Sequence, residues 1–143
     1  MKLYVASSWR NDSSLDEIHR ILRVAGHDTM DWRKHGKTDS LQTIANLDWQ
    51  LLDKSDGVVL VLPSNQSSHI EAGVAIGSQR PVFVTYVAEH KYEPMYLWAT
   101  AYVPVEELVG AIERYEEFAA AEHYPNDERV CCGKADCLCM NGE

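Results

Sequence analysis

The chain has 143 residues, enough for one domain with a single core, and carries 22 acids against 13 Lys and Arg, a formal charge of −9 at pH 7. So acidic a chain is repelled by polynucleotide phosphates, which argues against a DNA- or RNA-binding role; a small nucleotide stays within reach, because local dipoles can outweigh net charge at one phosphate. No apolar run approaches the roughly 20 residues that span a bilayer.

In chain order, residues 2–6 form a first strand candidate, whose apolar run stops at Ser7 and is too short for a signal peptide; a cytoplasmic location is the default. Residues 7–12 make a polar turn. Ser14-Leu15-Asp16-Glu17 has capping-box spacing, Leu15, Ile18, Ile21, Leu22 and Ala25 recur at helical spacing, and Gly26 is a natural stop. Residues 27–32 read as a short second strand and residues 33–39 as a loop. A second helix is predicted over residues 40–55, with Leu41, Ile44, Leu47, Leu51 and Leu52 as its buried stripe. Asp48 falls on that stripe, and an inward carboxylate is costly unless something satisfies or uses it.

Residues 56–86 form the centre of the pattern. Val58 to Leu62 is an unbroken apolar run ended by Pro63, as in a strand covered on both faces. A polar loop over residues 64–68, a helix over 69–77 and a second apolar run over 81–87 complete a strand–helix–strand unit. Residues 88–94 are a polar loop, 95–98 a turn, and 101–103 a last strand. Pro104 opens a last helix that ends near Glu122. The order β-α-β-α-β-α-β-β-α predicts an α/β, doubly wound (Rossmann- or flavodoxin-like) sandwich with a four- to five-stranded parallel sheet. In such sheets ligands bind beyond the carboxyl ends of the strands.

That position is occupied by residues 64–68 and the start of the helix behind them. Ser68-His69-Ile70-Glu71 has capping-box spacing, with Ser68 as cap and Glu71 reaching back. The same geometry would put an ionised carboxylate in the first turn, favoured by the helix dipole, beside the crevice: a nucleophile for an electrophilic carbon. Asp48 is either an inward acid satisfied by backbone donors or the second of two carboxylates approaching one crevice, the pair that breaks glycosidic bonds.

The strand start Leu3-Tyr4-Val5-Ala6, the Asp48–Asp56 spacing, and Ser68-His69-Ile70-Glu71-Ala72-Gly73-Val74-Ala75 followed by Arg80-Pro81-Val82 resemble the nucleoside 2-deoxyribosyltransferase family, which includes deoxynucleoside 5′-monophosphate N-glycosidases. The resemblance covers residues 1–122. It implies Glu71 as nucleophile at C1′ of the sugar, Tyr4 as the hydroxyl that orients it, and Asp48 as the group that contacts or protonates the base. It implies a homodimer or higher homo-oligomer, a small nucleoside or nucleotide as partner, and no cofactor for catalysis. As a strand aromatic, Tyr4 could equally be packed in the core. Asn65 stands where the transferases have Asp and the monophosphate glycosidases Ser, which leaves the substrate's 5′ end open.

Ser7, Ser8, Trp9, Arg10 and Asn11 follow the first strand and face the same crevice. Their hydroxyls and Arg10 could hold a 5′-phosphate and Trp9 could stack on a base, although an ordinary polar turn needs no function. Asp31-Trp32-Arg33 after the second strand has the same two readings, and His69 reads as a solvated helix-start residue. The acidic tail over residues 123–143 groups Cys131, Cys132, Cys137 and Cys139 within nine residues. Four thiols are the number a structural zinc takes; free thiols in a reducing compartment are the alternative. Two functional readings follow: cleavage or transfer at an N-glycosidic bond through a glycosyl-enzyme, or a non-catalytic nucleotide-binding module on the same fold.

Overall fold

A computed structural model describes residues 1–35 and 40–121. The four cysteines and the tail over residues 123–143 lie outside the described residues. Five strands form one parallel sheet: β1 (Lys2–Ala6), β2 (Asp28–Met30), β3 (Gly57–Leu62), β4 (Val82–Tyr86) and β5 (Ala101–Pro104), in the order β2-β1-β3-β4-β5. All six residues of β3 are buried, as a central strand covered on both faces requires. Each fully buried Val or Leu there contributes about 1.5–3 kcal/mol relative to exposure.

The strand alternation sends its side chains to two cores. Leu3, Val5, Val59, Val61 and Phe83 meet Leu15, Ile18 and Leu22 of α1 (Asp12–Val24) and Leu108 and Ile112 of α4 (Leu108–Ala120). On the other face Tyr4, Ala6, Val58, Leu60 and Val84 meet Leu52 of α2 (Leu41–Asp53) and Ala72 and Ala75 of α3 (Gln66–Gly77). The predicted doubly wound fold is therefore present, with five strands. Its order reverses at β1, so the ends of β1 and β3 define the crevice. Among the described residues no helix is long and apolar enough to cross a membrane.

Four local expectations are corrected. Helix α1 begins at Asp12, after a 3₁₀ turn over Trp9–Asn11 capped by Ser8, so Ser14 does not cap it; Glu17 instead pairs with Arg20. Gly26, at φ +89°, does follow its end. Helix α3 starts at Gln66 with Asn65 as its cap, because the Asn65 side chain accepts from Ser68 N. Glu71 accordingly lies in the second turn, beyond the reach of a capping box. Pro104 is extended and ends β5; a 3₁₀ turn over Val105–Glu107 separates it from α4. The α2 stripe is only partly covered: Leu52 is buried, Ile44, Leu47 and Leu51 are half-buried, and Leu41 is 86% exposed.

Candidate active site

The connections leaving β1 and β3 are tied to each other. Asn11 Nδ2 donates to Ser7 Oγ at 2.8 Å and to the Pro63 carbonyl at 2.6 Å, and Ser7 Oγ donates to the Val61 carbonyl at 2.9 Å. Ser68 Oγ, buried, reaches the Ser7 carbonyl at 3.0 Å and Asn65 Oδ1 at 2.8 Å. These bonds hold two loops and the first turn of α3 as one preorganised unit.

Glu71 reaches out from α3 over β1. Tyr4, fully buried, points to the same face of the sheet, and its hydroxyl donates to Glu71 Oε1 at 3.0 Å. Burial pushes the Glu71 carboxyl up to about 7; the Tyr4 bond draws it down, and the nearby Asp48 charge adds to the rise. The expectation that a helix N-terminus holds Glu71 ionised is thus replaced: it lies too far along α3, and desolvation dominates. Burial and then the Glu71 charge push the Tyr4 phenol far up, so it remains a proton donor throughout the neutral range. Because the Tyr4 bond favours the ionised carboxylate, Tyr4→Phe is expected to move the Glu71 titration above about 7. Carbon NMR of the labelled carboxyl checks this, and an unmoved midpoint would refute the bond's role.

A cavity of about 150 Å³ brings together Trp9, Trp32, Asp48, Asn65, Ser68 and Glu71. Its neighbour, about 370 Å³ between α2 and α3, shares Ile44, Asp48, Ser67 and Glu71 and has Leu41, Trp49 and Ile70 at its exposed rim. Trp9 and Trp32 meet edge to face, with centroids 4.6 Å apart. Asp48 of α2 and Glu71 of α3 thus line one hollow from two helices.

Ser8 and Arg10 do not face the carboxylates. They line an open hollow of about 550 Å³ with Pro63, Ser64, Asn65 and Gln66, reached from the carboxylate cavity across Asn65. Ser64 Oγ is buried there without a hydrogen-bond partner among the described residues. Ser7 lines the carboxylate cavity, but its hydroxyl is already engaged with Val61 and Asn11. His69 is not the solvated residue expected. Its Nδ1 lies 2.7 Å from the Asn65 carbonyl, which can only accept, so Nδ1 carries the proton; Nε2 lies 2.9 Å from the Tyr96 hydroxyl. No spacing in the sequence signals this pairing, because Tyr96 arrives from a separate 3₁₀ turn.

No family model matches this chain, and no curated protein does. Solved structures do. The CMP N-glycosidase BcmB of Clostridium botulinum superposes with a TM-score of 0.60 over 80% of this chain and 99% of its own, at 13% identity. A 2-deoxyribosyltransferase of Bacillus psychrosaccharolyticus gives a TM-score of 0.65 over 84% and 95%, at 20% identity. A conserved protein of Enterococcus faecalis V583 gives 0.55 over 80% and 87%, at 18% identity. The family resemblance read from residues 1–122 thus has its counterpart in structure: the chain shares its fold with a deoxyribosyltransferase and a nucleotide N-glycosidase.

Proposed function

We propose that this chain is an enzyme that cleaves, or transfers across, the N-glycosidic bond of a 2′-deoxynucleoside or its 5′-monophosphate. The observation that carries the reading is the Tyr4-held Glu71 carboxylate sharing a cavity with Asp48 and two tryptophans. Two solved structures of the same fold support it, one of a CMP N-glycosidase and one of a 2-deoxyribosyltransferase.

In the proposed reaction the carboxylate pair holds one proton, on Asp48: ionised Glu71 attacks C1′ as the bond to the base nitrogen breaks, and protonated Asp48 delivers its proton to the departing base. A second base or water then attacks C1′ from the vacated face, giving its proton to the Asp48 carboxylate and displacing Glu71 with net retention. Base as acceptor makes a transferase; water makes a hydrolase. These steps use side chains alone, and zinc held by the four cysteines would be structural. The test is incubation with deoxynucleosides and deoxynucleoside monophosphates, with and without a second free base, followed by chromatography of released base. A ligand-dependent rise in melting temperature with no base released would replace this reading by a nucleotide-binding module.

The 5′ end favours a monophosphate. Asn65 keeps its Nδ2 as a donor while Oδ1 caps α3, and it carries no charge to repel a phosphate. Ser8, Arg10 and the start of α3 surround the same hollow. Arg10→Ala is expected to raise KM for the monophosphate at least about tenfold while leaving the nucleoside within about twofold. Equal effects on both would assign Asn65 to a 5′-hydroxyl instead.

The reading includes a homo-oligomer. Leu41, Trp49 and Ile70, exposed to 86%, 57% and 68%, flank the cavity mouth and form an apolar surface that a second copy would cover. Analytical ultracentrifugation is expected to find a dimer or larger species at micromolar concentration; monomer alone would remove this element.

A further inference from the structure

Trp9 and Trp32 come from different connections, Trp9 between β1 and α1 and Trp32 just after β2, yet they form one wall of the carboxylate cavity. An edge-to-face ring pair tolerates sliding and does not by itself fix an angle. What fixes it is next in sequence. Arg33 Nε and Nη2 donate to the two oxygens of Asp31 at 2.9 and 2.8 Å. The same Nη2 donates to Asp16 Oδ1 at 2.8 Å, and Nη1 reaches the Asp12 carbonyl at 3.1 Å and Asp12 Oδ1 at 3.3 Å. That is an acceptor for each of the five N–H groups of the guanidinium. Asp12 and Asp16 belong to the first turns of α1, immediately after the turn that carries Trp9. Behind the clamp, buried His19 lies 3.6 Å from Asp31 Oδ2.

We propose that Arg33 is a positioning residue: its fork ties the connection after β2 to the start of α1 and thereby sets Trp32 against Trp9 as a rigid wall for the flat face of the base. The base as ligand rests on the N-glycosidase or transferase reading; the clamp itself does not. Lysine in its place would keep the charge but offer three donors and no planar fork, so the two connections would no longer be held in register.

The test is Arg33→Lys in the full chain. In circular dichroism, the exciton couplet of the tryptophan pair is expected to fall to less than half of its wild-type amplitude. KM for the preferred nucleotide is expected to rise at least about tenfold, with kcat within about threefold. Arg20→Lys, in an exposed ion pair with Glu17 on the same helix, should leave both readouts at wild type. A full couplet in Arg33→Lys, or a lower kcat at unchanged KM, overturns the proposal. If Arg33→Lys does not fold, Asp16→Ala removes one acceptor at the exposed end of the clamp and is expected to weaken the couplet and raise KM in the same sense; wild-type values in that variant overturn it. If wild-type protein releases no base, the catalytic reading falls separately, and quenching of tryptophan fluorescence by free adenine or cytosine replaces KM. Quenching lost in Arg33→Lys sustains the clamp, and quenching absent from the wild type or unchanged in the variant overturns it.

Discussion

Glu71→Gln is expected to lower base release by at least about 10³-fold while the protein stays folded. The substitution removes the negative charge that would attack C1′ but preserves shape and an oxygen able to accept the Tyr4 hydroxyl. The same variant carries a stability signature that separates lost chemistry from lost structure. In the folded protein burial raises the carboxyl from its ordinary 4.5 to about 7, so the folded state binds the proton more tightly than the unfolded chain does. Wild-type stability is then fully present below about pH 4.5 and falls as pH rises through 7, by about 3 kcal/mol when ionisation is complete. Glutamine does not ionise and avoids this loss. Melting curves should therefore nearly coincide at pH 4, with the variant the more stable at pH 8. Activity within a few-fold of wild type would sink the nucleophile assignment, whatever the melting curves show.

The same carboxyl sets the expected pH dependence of the reaction. Attack needs Glu71 ionised and the proposed proton delivery needs Asp48 protonated, so kcat/KM for base release should rise as the carboxylate pair loses its first proton and fall as it loses its second. A carboxylate with so little water around it is also a better nucleophile than a solvated one, which makes its desolvation part of the proposed chemistry.

The fold was legible in the sequence because its strongest signals are periodic. The apolar run Val58 to Leu62 could hardly be anything but a covered strand, and β3 is buried at every position. The pairing of Tyr4 with Glu71 came from resemblance, since nothing in strand periodicity distinguishes a site tyrosine from a core one. The start of α3 was misplaced by three residues for a physical reason. Ser68 and Asn65 are both good caps, and the choice depended on tertiary bonds that draw the Ser68 hydroxyl inward toward Ser7. That shift moved Glu71 out of the first turn and changed the sign of its titration argument. The partly covered stripe of α2 is the opposite case: the helical period was right, but a period marks which face is apolar, not what covers it. Asp31 and Arg33 stand together in the sequence, but their tie to Asp12 and Asp16 was invisible because those partners arrive from a helix that precedes them in the chain.

Asp48→Asn is expected to lower base release by about 10²- to 10⁴-fold, the range a positioned general acid contributes. Asparagine matches the shape of aspartic acid and can hydrogen-bond the base, but it cannot give up a proton to the departing nitrogen. The defect should therefore depend on the leaving group. A deoxynucleoside of an N7-alkylated purine already carries a positive charge on its base and leaves without a proton, so the variant should approach wild-type turnover on it. A second consequence runs through Glu71. The Asp48 charge helps raise the Glu71 carboxyl, so neutralising it should move that titration downward and shift the acid limb of the remaining activity to lower pH. Tyr4→Phe moves the same titration the other way, which gives the two variants opposite displacements from one wild-type profile. If Asp48→Asn instead lowers only the melting temperature and leaves both turnover and the pH profile in place, Asp48 is a structural acid of α2, and the proton for the leaving base must come from elsewhere in the cavity.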